Sequence, residues 1–461
     1  MTGKLASPSL LNFSLLLAAF LIFILIYWFR NLPLFWDITG QVDAALRLQK
    51  TGFSYLFPSE TGVKWQTDNG HLPLYAIYLA CLFNFFGVKL WVVHFSVLPF
   101  AAGCVYLVAK MNSKILEHTS PFAIATALIL YPFVLAQIIF ASSEFSLAFF
   151  TLWMLHAVQN NRALHIVLAS IVVCLLNLRG IAITILALTF YIAWRKNKNG
   201  WYLVPSILIW MLWIAIHRKF TGNFWGEENQ EFRDFPGMAK ILHNTAAALL
   251  KFLESGAFIC WAFFCYSVFK RRKWDDRANF LVLVSLSVLL VCIPSSNPVV
   301  SRYYLIVHLL LVPTVFYILP ETRKLKKGIV IAGLFILFLA SNIFILPPRF
   351  SNPWDCSLSA LKYFPLRDSL DNYVEKEKIA PNQIQAGYQL YFPDSLYRLK
   401  NEFKGYALLP DHRLPESEYV AESNICNNFN RERETFLTKS YHLVKSFENG
   451  PIFINLYQRN K

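Results

Sequence analysis

The chain has 461 residues, of which 56% are hydrophobic and 15% charged, with a mean hydropathy of +0.42. That balance excludes an ordinary soluble domain, where about a quarter of residues are charged, and 75 aromatic residues exclude a disordered or fibrous chain. The formal charge of +15 does not point to nucleic acid: from Arg349 onward 15 Lys+Arg face 14 Asp+Glu, so the excess belongs to the apolar part, where basic loops orient membrane helices.

In chain order, the first apolar run is Ser9 to Phe29, which ends at Arg30 without a small-residue cleavage motif and reads as an uncleaved helix. Further candidate crossings are Leu90 to Ala109, Phe122 to Phe140, Phe145 to Val158, Ala163 to Leu178, Ile181 to Trp194 and Tyr202 to Ile216. They continue with Thr245 to Phe269, Phe280 to Ile293, Tyr303 to Leu319 and Gly328 to Leu346. Three basic loops, Arg195 to Gly200, Lys270 to Arg277 and Glu321 to Lys327, are separated by even numbers of helices and so share the cytoplasmic side. The N-terminus joins them there only if Leu72 to Phe86 does not cross. Its 15 residues, with Pro73 in the first turn, suit a helix lying at the outer interface.

The expected fold is therefore an all-α polytopic membrane bundle of about eleven transmembrane helices over residues 1–346, N-terminus inside. Its first outer loop, residues 30–89, carries two interfacial helices, and residues 347–461 form a small mixed α/β extracytoplasmic domain docked on the bundle. No internal repeat is evident. Of eight cysteines, Cys81, Cys104, Cys174, Cys260, Cys265 and Cys292 fall in apolar helices and read as inert packing residues. Cys356 and Cys426, in the outer tail, are either a disulfide or two unrelated thiols.

The first outer loop holds the most informative residues. Asp37 follows the aromatic pair Phe35-Trp36, and Val42, Ala45, Leu46 and Leu48 alternate with Asp43, Arg47 and Lys50 as an amphipathic helix. The stretch KWQTDNGHLPLY then places Lys64, Trp65, Asp68 and His71 ahead of the second surface helix. Two apolar surface helices, each entered past an acid, make a roofed groove at headgroup level. Glu144, Arg179 and the pair Arg302-Tyr303 fall at outer helix ends.

On these residues the chain resembles the GT-C superfamily of membrane glycosyltransferases, in particular the family 39-related branch of protein O-mannosyltransferases and the aminoarabinose lipid A transferase. The resemblance rests on Trp36-Asp37, on Asp68-Asn69-Gly70-His71-Leu72-Pro73-Leu74-Tyr75 followed by Phe86-Gly87, on Glu144, and on Ser301-Arg302-Tyr303-Tyr304. It spans Ser9 to about Leu346 as an architecture. The chain departs from the family pattern at Ile38, where a Glu is common, at Leu72, where a second Pro is common, and at Phe145-Ser146-Leu147, where Arg-Pro-Tyr often follows the acid.

The resemblance implies a donor sugar carried on a polyprenyl phosphate and an acceptor hydroxyl on a lipid, a glycan or a protein, met at the outer face of a bacterial-type inner membrane. It implies inversion at the anomeric carbon, with Asp37 as general base and Glu144 as a second catalytic acid. Arg302 with Tyr303, and Arg179, would bind the leaving phosphate, for which guanidinium offers paired donors. Asp68 would orient the acceptor, His71 would assist, and Lys64 and Trp65 would contact phosphate and sugar ring. No cofactor is expected; Asp37, Asp68 and Glu144 could converge on a divalent metal, but no D-x-D pair calls for an obligatory one.

Each residue has a plainer reading as well. Asp37 and Asp68 are also candidate helix caps, His71 a structural hydrogen-bonder, Glu144 a cap, Arg179 a snorkelling cation, and Arg302 a headgroup anchor. At the level of the whole chain, the rivals are a transporter or flippase, an O-antigen polymerase or ligase, and a non-catalytic scaffold. A transporter would show two related halves and polar residues near the midplane. Here the polar residues gather at one rim.

Overall fold

The computed structural model describes residues 8–52, 72–112, 121–221, 237–253, 256–271, 276–294, 300–317, 324–342, 354–387, 389–399, 405–409, 414–425 and 431–460. The described residues between 8 and 342 are mainly helical, and those from 354 onward form a mixed α/β unit. Among the described residues, Leu90–Met111 and Lys198–Lys219 are long and apolar enough to cross a membrane unbroken. Several shorter apolar helices, among them Ala163–Leu176, Leu178–Trp194 and Ala278–Cys292, fill the bundle between them. The bundle exterior exposes Phe20, Trp28, Trp194, Trp201, Leu208 and Leu212, an apolar surface suited to lipid and not to water. The chain is an integral membrane protein.

Two expected single crossings are bent. The Phe122 to Phe140 run breaks by 70° between Phe122–Leu130 and Pro132–Ile139. Pro132 has no N–H to give to a carbonyl one turn back, so the helix restarts there with proline in its first turn. The Thr245 to Phe269 run is divided into Met238–Leu253 and Ala257–Tyr266, whose axes differ by 82°, with Gly256 at φ +80° beside the break.

Between the first helix and Gly87 the described residues form two helices. Helix Asp37–Thr51 buries Ile38, Val42, Ala45 and Leu48 and packs along helix Leu74–Phe86. Gln49 donates to Asn84 across the pair at 2.8 Å. Tyr75 and Tyr78 tie the second helix to Ser96 of the Leu90–Ser96 helix. Gly87, at φ +78°, lets the chain leave Phe86 and turn back.

The tail forms a five-stranded sheet in the order β2-β1-β3-β5-β4, made of β1 (Ile384–Ala386), β2 (Ala407–Leu408), β3 (Tyr419–Ser423), β4 (Tyr441–Asn449) and β5 (Ile452–Arg459). Strands β2, β1 and β3 run parallel, whereas β3, β5 and β4 are antiparallel. Helix Tyr363–Lys376 covers β4 and β5.

One hydrophobic cluster joins this unit to the bundle. The Phe35 ring lies 4.9 Å from that of Phe140, 5.9 Å from Tyr363 and 5.8 Å from Phe364, so the tail is seated on the segment that leads into Asp37. Cys356 is a buried free thiol, and Cys426 lies outside the described residues. Cys104, Cys174, Cys260 and Cys292 are packed inside as read, but Cys81 and Cys265 are exposed on the exterior.

Candidate active site

Asp37 is the first residue of its helix, and the residue before it is unusual. Trp36 has φ 59° and ψ −133°, a left-handed conformation that costs a non-glycine residue about 1–3 kcal/mol. The turn is held from the tail: the Trp36 N–H donates to Gln389 Oε1 at 2.8 Å, the Gln389 amide donates to the Leu34 carbonyl at 3.3 Å, and the Leu34 N–H donates to the Tyr397 carbonyl at 2.8 Å. Gln389 is in turn fixed by the buried Arg367, whose guanidinium donates to the Gln389 and Phe392 carbonyls. These bonds fix the turn from which the Asp37 carboxylate reaches Arg302.

Arg302 meets it there. Val300 is extended and residues Ser301–Tyr304 form a short 3-10 turn at the head of helix Leu305–Leu311. From that turn Arg302 donates through Nη2 to Asp37 Oδ2 at 2.6 Å and through Nη1 to Asp355 Oδ2 at 3.4 Å. The arginine is 4% exposed and Asp37 20% exposed, so the aspartate is the member of the pair that a substrate can reach.

A second ion pair stands beside the first. Glu144 begins its helix, where the N-terminal dipole favours a carboxylate, and its Oε1 receives Arg179 Nη2 at 2.5 Å with both side chains 5% exposed. Arg179 is placed by a break in the helical run. Extended Asn177 separates Ala163–Leu176 from Leu178–Thr189, and its side chain accepts from the Arg179 N–H at 3.0 Å and from Nε at 3.3 Å. At the next position, Gly180 lies so close to Val173 that a Cβ would stand 2.0 Å from the Val173 carbonyl oxygen.

Tyr303 links the two pairs. The Arg179 guanidinium carbon lies 4.0 Å and that of Arg302 5.3 Å from its ring centre, distances at which a cation is attracted by an aromatic ring. A small cleft beside Tyr303, walled by Leu147, Ile183, Val288 and Ile306, ends on Glu144 and Arg179. Trp36 closes the other side, 6.0 Å from Arg302.

Five residues singled out in the sequence, Asp37, Glu144, Arg179, Arg302 and Tyr303, thus converge. The other four, Lys64, Trp65, Asp68 and His71, lie outside the described residues. Among the described residues no group of three His, Cys, Asp or Glu side chains is placed to hold a metal ion; Asp37 and Glu144 are each engaged by an arginine.

Besides Gln389, sequence reasoning missed three further residues. Asp355, on the short Trp354–Cys356 turn of the tail, is 5% exposed, and burial raises its carboxyl above the ordinary aspartate range while Arg302 opposes that rise. Gln137 anchors this turn, donating to the Asp355 carbonyl at 2.8 Å and to Cys356 Sγ at 3.5 Å. Lys251 is 2% exposed, and Phe252 beside it packs its ring 4.9 Å from that of Tyr304. A lone lysine in an apolar run is a signal, because burying such a charge is costly; Asp355 sits in a tail of ordinary composition and carries none.

A helical bundle carrying a small C-terminal α/β unit is a fold that this chain shares with solved structures. Two solved structures to which the chain is similar are of ArnT from Cupriavidus metallidurans. Against the structure bound to undecaprenyl phosphate the TM-score is 0.54, with 11% identity over 98% of this chain and 98% of that one. Against the apo structure it is 0.51, with 13% identity over 69% of this chain and 62% of that one, so this alignment spans less than two thirds of ArnT. The likeness is one of fold. No protein-family model matches the chain, and no curated protein matches it by sequence.

Proposed function

We propose that the chain transfers a sugar from a polyprenyl-phosphate donor to an acceptor hydroxyl at the extracytoplasmic face of a bacterial-type inner membrane, with inversion. The observation that carries this reading is the Asp37–Arg302 pair at 2.6 Å, in a fold shared with a protein whose structure holds undecaprenyl phosphate. The bundle is read as about eleven crossings over residues 1–346, N-terminus cytoplasmic, with residues 347–461 outside.

The chemistry needs an acid and a cation side by side. An acceptor hydroxyl attacks the anomeric carbon, its oxygen forms the new glycosidic bond, and its proton passes to the Asp37 carboxylate. The bond from the anomeric carbon to the phosphate oxygen breaks, and the polyprenyl phosphate leaves with that electron pair. Arg302, and Arg179 held by Glu144, offer fixed donors to the oxygen that gains charge. Because Arg302 occupies Asp37 in this state, donor binding has to draw it toward the phosphate and free the base. Asp68, His71, Lys64 and Trp65 are assigned to the acceptor and to the sugar phosphate by their place in the first outer loop. No metal or other cofactor enters this scheme, and the acceptor is a lipid, glycan or protein hydroxyl.

The deciding experiment is transfer from a panel of radiolabelled polyprenyl-phosphate sugars in proteoliposomes, wild type against Asp37→Asn at matched expression. Transfer that falls at least about a hundredfold in the variant is expected for loss of a general base. A wild type that moves labelled lipid between leaflets and transfers nothing would replace this reading with that of a flippase.

A further inference from the structure

A buried arginine between two carboxylates is an unusual arrangement for a phosphate-binding residue, and the second carboxylate comes from the tail. Asp355 is separated from Arg302 by 53 positions. Its turn rests against helix Pro132–Ile139 through Gln137 and against the Ser301–Tyr304 turn. The two contacts of Arg302 are also unequal, 2.6 Å to Asp37 and 3.4 Å to Asp355.

For Asp37 to take a proton, Arg302 has to let go of it, since a carboxylate in a charge-assisted bond to arginine is a poor base. Releasing Asp37 would leave a buried, unpaired cation, which is costly unless another anion stays in place. Asp355 is that anion. It is itself buried, so it holds Arg302 while the other arm of the guanidinium is free to turn toward an arriving phosphate.

We infer that Asp355 is a positioning residue that tethers Arg302 through Nη1 while Nη2 exchanges Asp37 for the donor phosphate, making the C-terminal domain a working part of the site. This inference rests on the glycosyl-transfer reading above. Deleting the tail would remove both Asp355 and the Gln389 bond to Trp36.

The test compares wild type, Asp355→Asn and Asp355→Glu in the full-length protein, in proteoliposomes, with steady-state rates and pH profiles for one polyprenyl-phosphate sugar. In Asp355→Asn, kcat falls on the order of tenfold or more, the scale on which groups orienting a reacting side chain act, while KM for the donor changes less. The acid limb of kcat/KM moves to lower pH, because Asp37 loses a negative neighbour and gains the undivided attention of Arg302. The other ionisable groups around the pair, Arg179, Glu144, Tyr303, Cys356 and Lys251, are common to all three proteins. Asp355→Glu restores most of the rate and the wild-type pH limb.

Folding damage alone would lower the amount of active protein without moving the limb, so a reduced rate with an unshifted profile overturns the inference. An Asp355→Asn protein that binds donor more tightly and turns over faster also overturns it, and would make Asp355 an internal competitor of the phosphate. If Asp355→Asn does not fold, the Asp355→Glu profile decides: a wild-type limb with at least about a third of the rate supports tethering, and a loss equal to that of Asp37→Asn overturns it. A wild type inactive with every donor would instead overturn the functional reading, and an active wild type unaffected by Asp355→Asn overturns this inference alone.

Discussion

The Trp36 N–H and the Gln389 side chain meet at 2.8 Å across 353 positions of sequence. The bond holds a tryptophan at positive φ directly before the candidate base, so the tail sets the geometry of a residue that follows the first helix. Gln389→Leu keeps the volume but leaves the Trp36 N–H and the Leu34 carbonyl without this partner. The expected cost is about 1–3 kcal/mol, the range for a buried polar group stripped of its hydrogen bond. Transfer should fall further than stability alone requires, because a catalytic group displaced by about 1 Å can lose two orders of magnitude in rate. Thermal unfolding in detergent and transfer assays on the same preparation check both. A stable, fully active Gln389→Leu protein would show that Trp36 keeps its conformation unaided.

Arg302 touches two carboxylates with two different nitrogens. A lysine ammonium is a point charge on a flexible stem and cannot reproduce that fork. Arg302→Lys keeps the charge, so the helix head should stay folded, while kcat/KM for the donor should drop by about a hundredfold, the usual cost of removing a donor aimed at developing negative charge. Retention of more than half of wild-type activity would mean that charge alone suffices and that the fork plays no part.

The class of fold and half of the candidate site were legible before any coordinates. Hydropathy marks the helices, and Glu144, Arg179 and Arg302 stand out because ionisable groups at the ends of apolar runs need a reason to be there. The bends were harder, since the hydropathy of Phe122 to Phe140 is continuous through Pro132, which acts on the backbone and not on polarity. Asp355 and Gln389 were illegible for a different reason. Each is an ordinary polar residue in an ordinary tail, and its importance arises from a partner more than fifty or three hundred positions away. The same limit applies to Tyr303, which is readable as an interface aromatic but not as the ring shared by two guanidinium groups.

Gly180 follows Arg179 at the point where helix Leu178–Thr189 approaches Val173. A Cβ there would lie 2.0 Å from a backbone oxygen, so neither side chain nor backbone can yield without separating the two helices. Gly180→Ala should destabilise the protein by at least about 1–3 kcal/mol, the usual cost of overpacking. It should also pull Arg179 away from Glu144 and Tyr303. Lower thermal stability together with reduced transfer is the expected pair of results. A variant that unfolds at the wild-type temperature would mean that the close approach relaxes at little cost.

Glu422 supplies a pH dependence outside the membrane. It lies on β3, largely buried, and burial pushes its carboxyl up to about 7, with Arg433 working against the shift and Glu434 adding to it. The folded form therefore holds its proton more tightly than the unfolded chain, whose glutamate has an ordinary value of about 4.3. The stabilisation is fully present below the ordinary value, declines as pH rises between there and about 7, and is absent above it. At about 1.4 kcal/mol per pKa unit the change amounts to about 4 kcal/mol. Glu422→Gln, neutral at every pH, should remove this slope, so that the difference in unfolding midpoint between variant and wild type grows from pH 5 to pH 7.5. Parallel pH profiles for the two proteins would show that Glu422 titrates normally, and would relocate any acid stabilisation of the tail to another group.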